Sequence, residues 1–225
     1  MLDFLKQHAL TLLLIASAVF TFDWLFQTRK RLRLKWYAAL ILAVLHIAIG
    51  VASVKAFAIV EAGFDLEKAG NMSLFGSIAF LPIFYFAGAK LFKRSPADVF
   101  DIFTIPLAAT LMCARVNCLV TGCCLGDMIP GTQVRWPTRE IELVFYAAFI
   151  AVMIAPVFKG KTRGRAFPIF MIAYGAFRFV IEYLRVNESL WWVFHLSHIW
   201  ALASILIGVV VLILLRRRQN AEKNN

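Results

Sequence analysis

Ionisable side chains stand at the edges of apolar runs in two places along this chain. Arg115 closes such a run in "ARVNCLVTGCCLGD", and Arg178, Glu182 and Arg185 lie at spacings of four and three in "YGAFRFVIEYLRVNE". At those offsets, residues of one helix share a face. With a rise of ~1.5 Å per residue, Arg178 is expected about 10 Å deeper along the helix than Arg185. An arginine within a membrane span costs roughly 2.5 to 3.5 kcal/mol on insertion scales, so something must offset it. One reading is that Glu182 does so through a buried ion pair that only holds helices together. Two arginines against one acid nevertheless leave a positive surplus, and Arg115 adds to it. Guanidinium groups gathered at one leaflet depth suit an anion with several acceptor oxygens, above all a phosphate. At that depth the available anion is a phospholipid headgroup.

The cysteines invite a second reading. Cys113, Cys118, Cys123 and Cys124 are all the cysteines there are, and they fall within one short segment. Adjacent cysteines rarely ligate one tetrahedral ion together, and there is no C-x-x-C pair, so neither a metal nor another cofactor is expected. His195 and His198 would join them only if the last loop folded over; they read instead as polar residues at the entrance to a span. A disulfide among Cys118, Cys123 and Cys124, stapling the outer loop, is preferred to a zinc or thiol-exchange function.

These residues need elements to position them, and the composition says which. The chain of 225 residues is 61% hydrophobic and only 16% charged, against about 25% charged in soluble proteins. Apolar stretches of spanning length predict seven transmembrane helices in one all-α membrane domain covering 1–225, at about 9–26, 36–60, 74–92, 99–121, 141–158, 167–184 and 199–215. The first is too long for a cleaved signal peptide and is expected to remain as an anchor. Pro106 is expected to bend the fourth span, and Trp191, Trp192 and Trp200 read as an interfacial aromatic belt.

The net charge of +11 comes largely from four basic clusters: Arg29 to Lys35, Lys90 to Arg94, Lys159 to Arg165, and Arg216 to Lys223. They occupy alternate connections, while Glu61, Asp65, Glu67 and Asp127 occupy the others. The positive-inside rule then puts the N-terminus outside and the C-terminus in the cytoplasm. The basic excess is thus a topology signal, with some attraction to anionic lipid. Without interleaved aromatics or a binding motif, it gives no support for a nucleic-acid partner. No internal repeat is detectable, and the charges crowd toward one leaflet. Both features count against a transporter.

At these residues the chain resembles the bacterial phosphatidylglycerol:prolipoprotein diacylglyceryl transferase family. "YGAFRFVIEYLR" matches that family's Tyr-Gly, Arg-Phe, Glu and Arg pattern, with Arg178, Glu182 and Arg185 in register. "ARVNCLVTGCCLG" is similar to its signature loop, with Arg115 in place of the essential arginine and Gly122 and Gly126 in place of two glycines. "WPTREIE" resembles the stretch that opens the fifth span, with Pro137, Thr138 and Glu142 in register. The resemblance implies an inner-membrane enzyme whose site faces the outer leaflet, and it implies transfer of a diacylglyceryl group from phosphatidylglycerol to a cysteine thiol in a prolipoprotein signal peptide. It makes Arg115, Arg178 and Glu182 catalytic, and adds Arg185, Gly122, Gly126 and Glu142 to the substrate contacts. On this reading Arg115 and Arg178 hold the phosphate, Glu182 orients an arginine and Arg185 guards the rim.

The chain also departs from that pattern. Phe75 stands where the family has a histidine, Trp136 stands for a second one, and Cys118 and Cys123 replace an asparagine and a glutamate. The identity of a general base is therefore open. So are two other readings: a divergent relative that binds or transfers phospholipid groups to another acceptor, and a non-enzymatic membrane thiol or transport protein.

Overall fold

A computed structural model describes residues 2–65, 75–186 and 195–224. Glu67, Trp191 and Trp192 lie outside the described residues. In chain order the helices are α1 (Leu2–Thr28), α2 (Trp36–Glu61), α3 (Phe75–Leu91), α4 (Pro96–Thr121), α5 (Thr138–Phe158), α6 (Ala166–Ile181) and α7 (Leu196–Asn224), with one 3-10 turn, Glu182–Leu184, directly after α6. Six of the spans are long and apolar enough to cross a membrane, and α3 is a shorter apolar helix. Among the described residues the only strand-like pairings are two isolated bridges in the loop between α4 and α5 and the segment after α6. The all-helical fold expected from the apolar runs is found, with six helices of spanning length among the described residues where seven were expected.

Helix α4 is the axis of the bundle. It packs against α1, α3, α5 and α6, and 67% of its most apolar window is buried, against 22% for α7. Trp24 of α1 donates its indole N–H to the Ile102 carbonyl at 2.8 Å. Pro106 lies within α4 without ending it. Outward-facing side chains such as Ile15, Val19, Leu206 and Leu214 are exposed, as a surface solvated by acyl chains requires.

The basic connections gather at one end of the bundle. Arg31 pairs with Asp98 at the start of α4 and with the Val157 carbonyl at the end of α5. Arg94 donates to the Arg33 carbonyl at 3.3 Å, and Arg165 reaches Gln219 on α7. This shared end is what alternating basic connections demand of an up-and-down bundle.

Asp101, fully buried on α4, fixes the entry to α6. Its carboxylate accepts from the Gly164 N–H at 2.7 Å, the Ala166 N–H at 2.9 Å and the Thr162 hydroxyl. The first N–H groups of a helix have no intrahelical partner, and an anion there suits the helix dipole. This role is not legible in the sequence, because an acid in an otherwise apolar run gives no sign of what it caps. Asp101→Ala is expected to lower stability by about 3 kcal/mol, since a buried donor left unsatisfied costs roughly 1 to 3 kcal/mol. Chemical unfolding in detergent measures it, and a loss below ~1 kcal/mol would remove the capping role.

Candidate functional site

At the end of the bundle opposite the basic connections, α4, α5 and α6 each bring one ionisable residue to a common point. Arg115 lies near the end of α4, Glu142 in the first turns of α5 and Arg178 in the last turn of α6; all three are buried. The centre of the group is Glu142, whose side chain is 1% exposed. Arg115 Nε pairs with its Oε2. Its Oε1 takes Arg178 Nη1 at 3.4 Å and Arg185 Nη1 at 3.1 Å. Arg178 Nη2 makes a second bridge, 2.8 Å long, to Glu182 four residues on. Three guanidinium groups thus meet two carboxylates, and a positive surplus remains in a dry setting where charge is costly.

The expected stripe of Arg178, Glu182 and Arg185 holds for the first pair and breaks at the third. Helix α6 stops at Ile181, tightens into the 3-10 turn, and leaves Arg185 extended with φ −107° and ψ 148°. Arg185 is therefore not simply one helical step further out. Its guanidinium bends back to the same carboxylate oxygen that Arg178 uses. The long loop after α4 makes this possible. Gly126 pairs antiparallel with Arg185, and the Asp127 N–H donates to the Leu184 carbonyl at 2.8 Å.

The two glycines that resemble the family's loop have distinct local reasons. Gly122 ends α4 in the left-handed region at φ 75°, where a side chain would strain the backbone. Gly126 lies so close to the next turn that a Cβ there would come within 2.2 Å of the Trp136 carbonyl oxygen. Arg135 and Arg139 finish the loop by donating to the carbonyls of Gly126 at 3.1 Å and Cys118 at 3.3 Å.

Phe75 faces this site. The Arg178 guanidinium carbon stands 5.6 Å from its ring centroid, a cation–π contact, and the ring meets Tyr174 edge-on at 5.7 Å. Two residues absent from the sequence-based site join here. Tyr146 and Tyr174 are fully or almost fully buried, their rings stack at 6.4 Å, and neither hydroxyl has a hydrogen-bond partner among the described residues. A signal for them existed. Tyr146 is one helical turn beyond Glu142 and Tyr174 one turn before Arg178, so each shares a face with a charged residue of the cluster.

The three cysteines of the outer loop adjoin the same group. Cys118, Cys123 and Cys124 are free thiols, and their sulfur atoms all lie within 4.8 Å of one another. Cys118 Sγ is 3.7 Å from Cys124 Sγ and 4.0 Å from Arg115 Nη1. The hydrogen bond from Cys118, and then the charges of Arg115 and Arg185, push the Cys124 thiol down to about 4. No histidine belongs to this group. His195 and His198 instead lie beside each other, with His198 4.9 Å from the Phe179 ring and 4.6 Å from that of Tyr183.

Beside Phe75 an apolar cavity of about 450 Å³ runs between α3 and α7, lined by Phe57, Phe75, Phe100, Met171 and Trp200 among others. Charged groups thus occupy one side of Phe75, and hydrocarbon the other.

The chain also has relatives among known proteins. Residues 52–214 match the family model described as prolipoprotein diacylglyceryl transferase. Two curated relatives, from strains of Dehalococcoides mccartyi and both named phosphatidylglycerol–prolipoprotein diacylglyceryl transferase, are each 21% identical over 190 residues, covering 74% of this chain and 73% of the relative. A third of the same name, from another strain, is 26% identical over 126 residues and is covered over 48% of its length.

Proposed function

Since the chain belongs to the prolipoprotein diacylglyceryl transferase family, we propose that its arginine cluster binds the phosphate of phosphatidylglycerol. The proposed reaction passes the diacylglyceryl group to the lipobox cysteine of a prolipoprotein signal peptide. The observation that carries this reading is the convergence of Arg115, Arg178 and Arg185 on Glu142, with their positive surplus. A phosphodiester supplies the missing negative charge and the planar acceptor pairs that guanidinium prefers.

In the reaction the acceptor sulfur forms a bond to the terminal glycerol carbon as that carbon's bond to phosphate oxygen breaks. Glycerol phosphate leaves with the electron pair, and negative charge gathers on its oxygens. Arg115 and Arg178 stabilise that charge from fixed positions, which costs no reorganisation during the step. Glu142 and Glu182 hold the guanidinium groups in place, so in this reading Glu182 positions Arg178. Arg185 closes the rim toward the loop. The hydroxyls of Tyr146 and Tyr174 add donors beside the arginines. The acyl chains lie in the apolar cavity next to Phe75, and holding lipid and thiol together supplies much of the remaining rate.

The site faces the outer leaflet of a bacterial inner membrane, with the basic end of the bundle in the cytoplasm. The four basic clusters support that orientation. A single membrane domain carries all of these functions.

The test is a mass shift. Membranes containing the protein and phosphatidylglycerol convert a lipobox peptide to a species heavier by one diacylglyceryl group, and a Cys→Ser version of the peptide stays unchanged. An unmodified cysteine peptide beside folded protein overturns the reading. Phe75, which offers no proton-accepting group beside Arg178, favours one other outcome: phosphatidylglycerol consumed while the peptide remains unmodified, which would mean a different acceptor.

A further inference from the structure

The proposed transfer leaves one chemical need unmet, because a cysteine thiol has a pKa of about 8.5 and must be ionised to attack carbon. Phe75 has no proton-accepting group, and Glu142 and Glu182 are engaged with guanidinium groups. An unassigned group next to Arg115 is the sulfur trio, with Cys118 Sγ 4.0 Å from its Nη1. A zinc ion binds thiolate at about 2.3 Å, so tetrahedral geometry sets its sulfurs about 3.8 Å apart. Cys118 and Cys124 are already 3.7 Å apart, and the third sulfur lies within 4.8 Å of both.

Adjacent cysteines would ordinarily diverge, since neighbouring side chains point to opposite sides of an extended backbone. Here Cys124 has φ 57°, and that turn brings Cys123 and Cys124 to one side. Three thiolates around a divalent ion carry one net negative charge, and the Arg115 guanidinium lies 4.0 Å from Cys118 Sγ, where its field favours thiolate. The loop exposes Cys123, which leaves a side open to solvent.

We propose that Cys118, Cys123 and Cys124 form a three-sulfur site for a thiophilic divalent cation such as zinc, whose fourth position takes the acceptor thiol. The inference rests on the transferase reading for its purpose, though not for its ligands. A structural zinc site is closed by four protein ligands, whereas a catalytic one keeps a position free. The incoming thiol binds there and loses its proton to solvent, because a coordinated thiol is deprotonated outright. The resulting thiolate stands beside the arginines that hold the phosphate. Its sulfur bonds to the glycerol carbon, glycerol phosphate departs, and the neutral thioether leaves the ion, restoring the open position. No electron is gained or lost by the metal.

The test needs no turnover. The reduced full chain in neutral-lipid nanodiscs is stripped with chelator, dialysed against Zn²⁺ or Co²⁺, and read by elemental analysis and absorption. Stoichiometric zinc and an intense thiolate-to-cobalt charge-transfer band are expected. Cys123→Ser and Cys124→Ser should each weaken affinity by more than the ~10- to 100-fold that loss of an outer-shell partner costs. Adding a lipobox peptide should shift the cobalt spectrum, whereas its Cys→Ser version should not.

A reduced, folded wild-type chain that binds no stoichiometric ion overturns the proposal without reference to any variant. Retention of the ion in the triple Cys→Ser variant overturns it too, and an unresponsive cobalt spectrum removes the open position. The two readings fail separately. Metal binding with the peptide response but no transfer sinks the transferase reading, and undiminished transfer by the triple variant sinks the metal's role.

Discussion

Arg178→Ala is expected to lower diacylglyceryl transfer by about 10²- to 10³-fold, the usual cost of removing one donor aimed at developing charge. Arg178 bridges both carboxylates, to Glu142 at 3.4 Å and to Glu182 at 2.8 Å, and it packs against the Phe75 ring. Its two outer nitrogens are therefore held by groups on α5 and just after α6, so little conformational entropy is lost when phosphate binds. Arg178→Lys should recover only part of the rate, because an ammonium offers a point charge where the site presents a planar fork. The loss should fall mainly on turnover, since the interaction is strongest when phosphate becomes a leaving group. Initial rates of the peptide mass shift, with stability measured on the same preparation, decide the matter. A folded Arg178→Ala variant within about tenfold of wild type, ~1.4 kcal/mol in barrier height, would remove the arginine from the reaction.

Glu142 should dominate stability as Arg178 dominates rate. Removing one partner of a buried charge network costs about 3 to 5 kcal/mol, and Glu142→Ala would leave Arg115, Arg178 and Arg185 facing one another across a void. Glu142→Gln keeps the volume and some hydrogen bonding, so its stability loss should be smaller. Its charge effect should be visible in another way: with one acid gone, the cluster is more positive and binds an anion more tightly. A ligand that binds only the folded chain stabilises it by mass action. Phosphatidylglycerol added to neutral-lipid nanodiscs should therefore raise the unfolding temperature of Glu142→Gln by more than that of wild type. Equal shifts in the two proteins would mean that the lipid phosphate does not meet this cluster.

Much of the site was legible because burying charge in an apolar span is expensive, so each such residue stands out. Arg115, Arg178, Glu182 and Arg185 could be picked out on that ground alone. Glu142 could not. In sequence it sits in the first turns of a span, where an acid at a helix N-terminus is unremarkable, and only the pattern around it drew attention. Tyr146 and Tyr174 were missed for a related reason, since tyrosine is common in membrane helices and a hydroxyl gives no sign of what it faces. The closeness of the three cysteine sulfurs was not legible either, because it depends on the left-handed turn at Cys124, which no residue type in that segment announces.

The amino-acid sequence by itself determined the helical membrane architecture, because apolar length and basic connections act locally and along one dimension. It also placed Arg115 and Arg178 toward the same end of the bundle, from their positions late in α4 and α6. Tertiary structure alone decided which acid they meet. Glu182 is the nearest acid in sequence to Arg178 and Arg185, yet the common partner is Glu142 on α5, brought in by packing against α4 and α6 and by the loop that turns Arg185 back. Ion pairing in a low-dielectric interior depends on distance between side-chain atoms, and distance across a bundle is not written in any one segment.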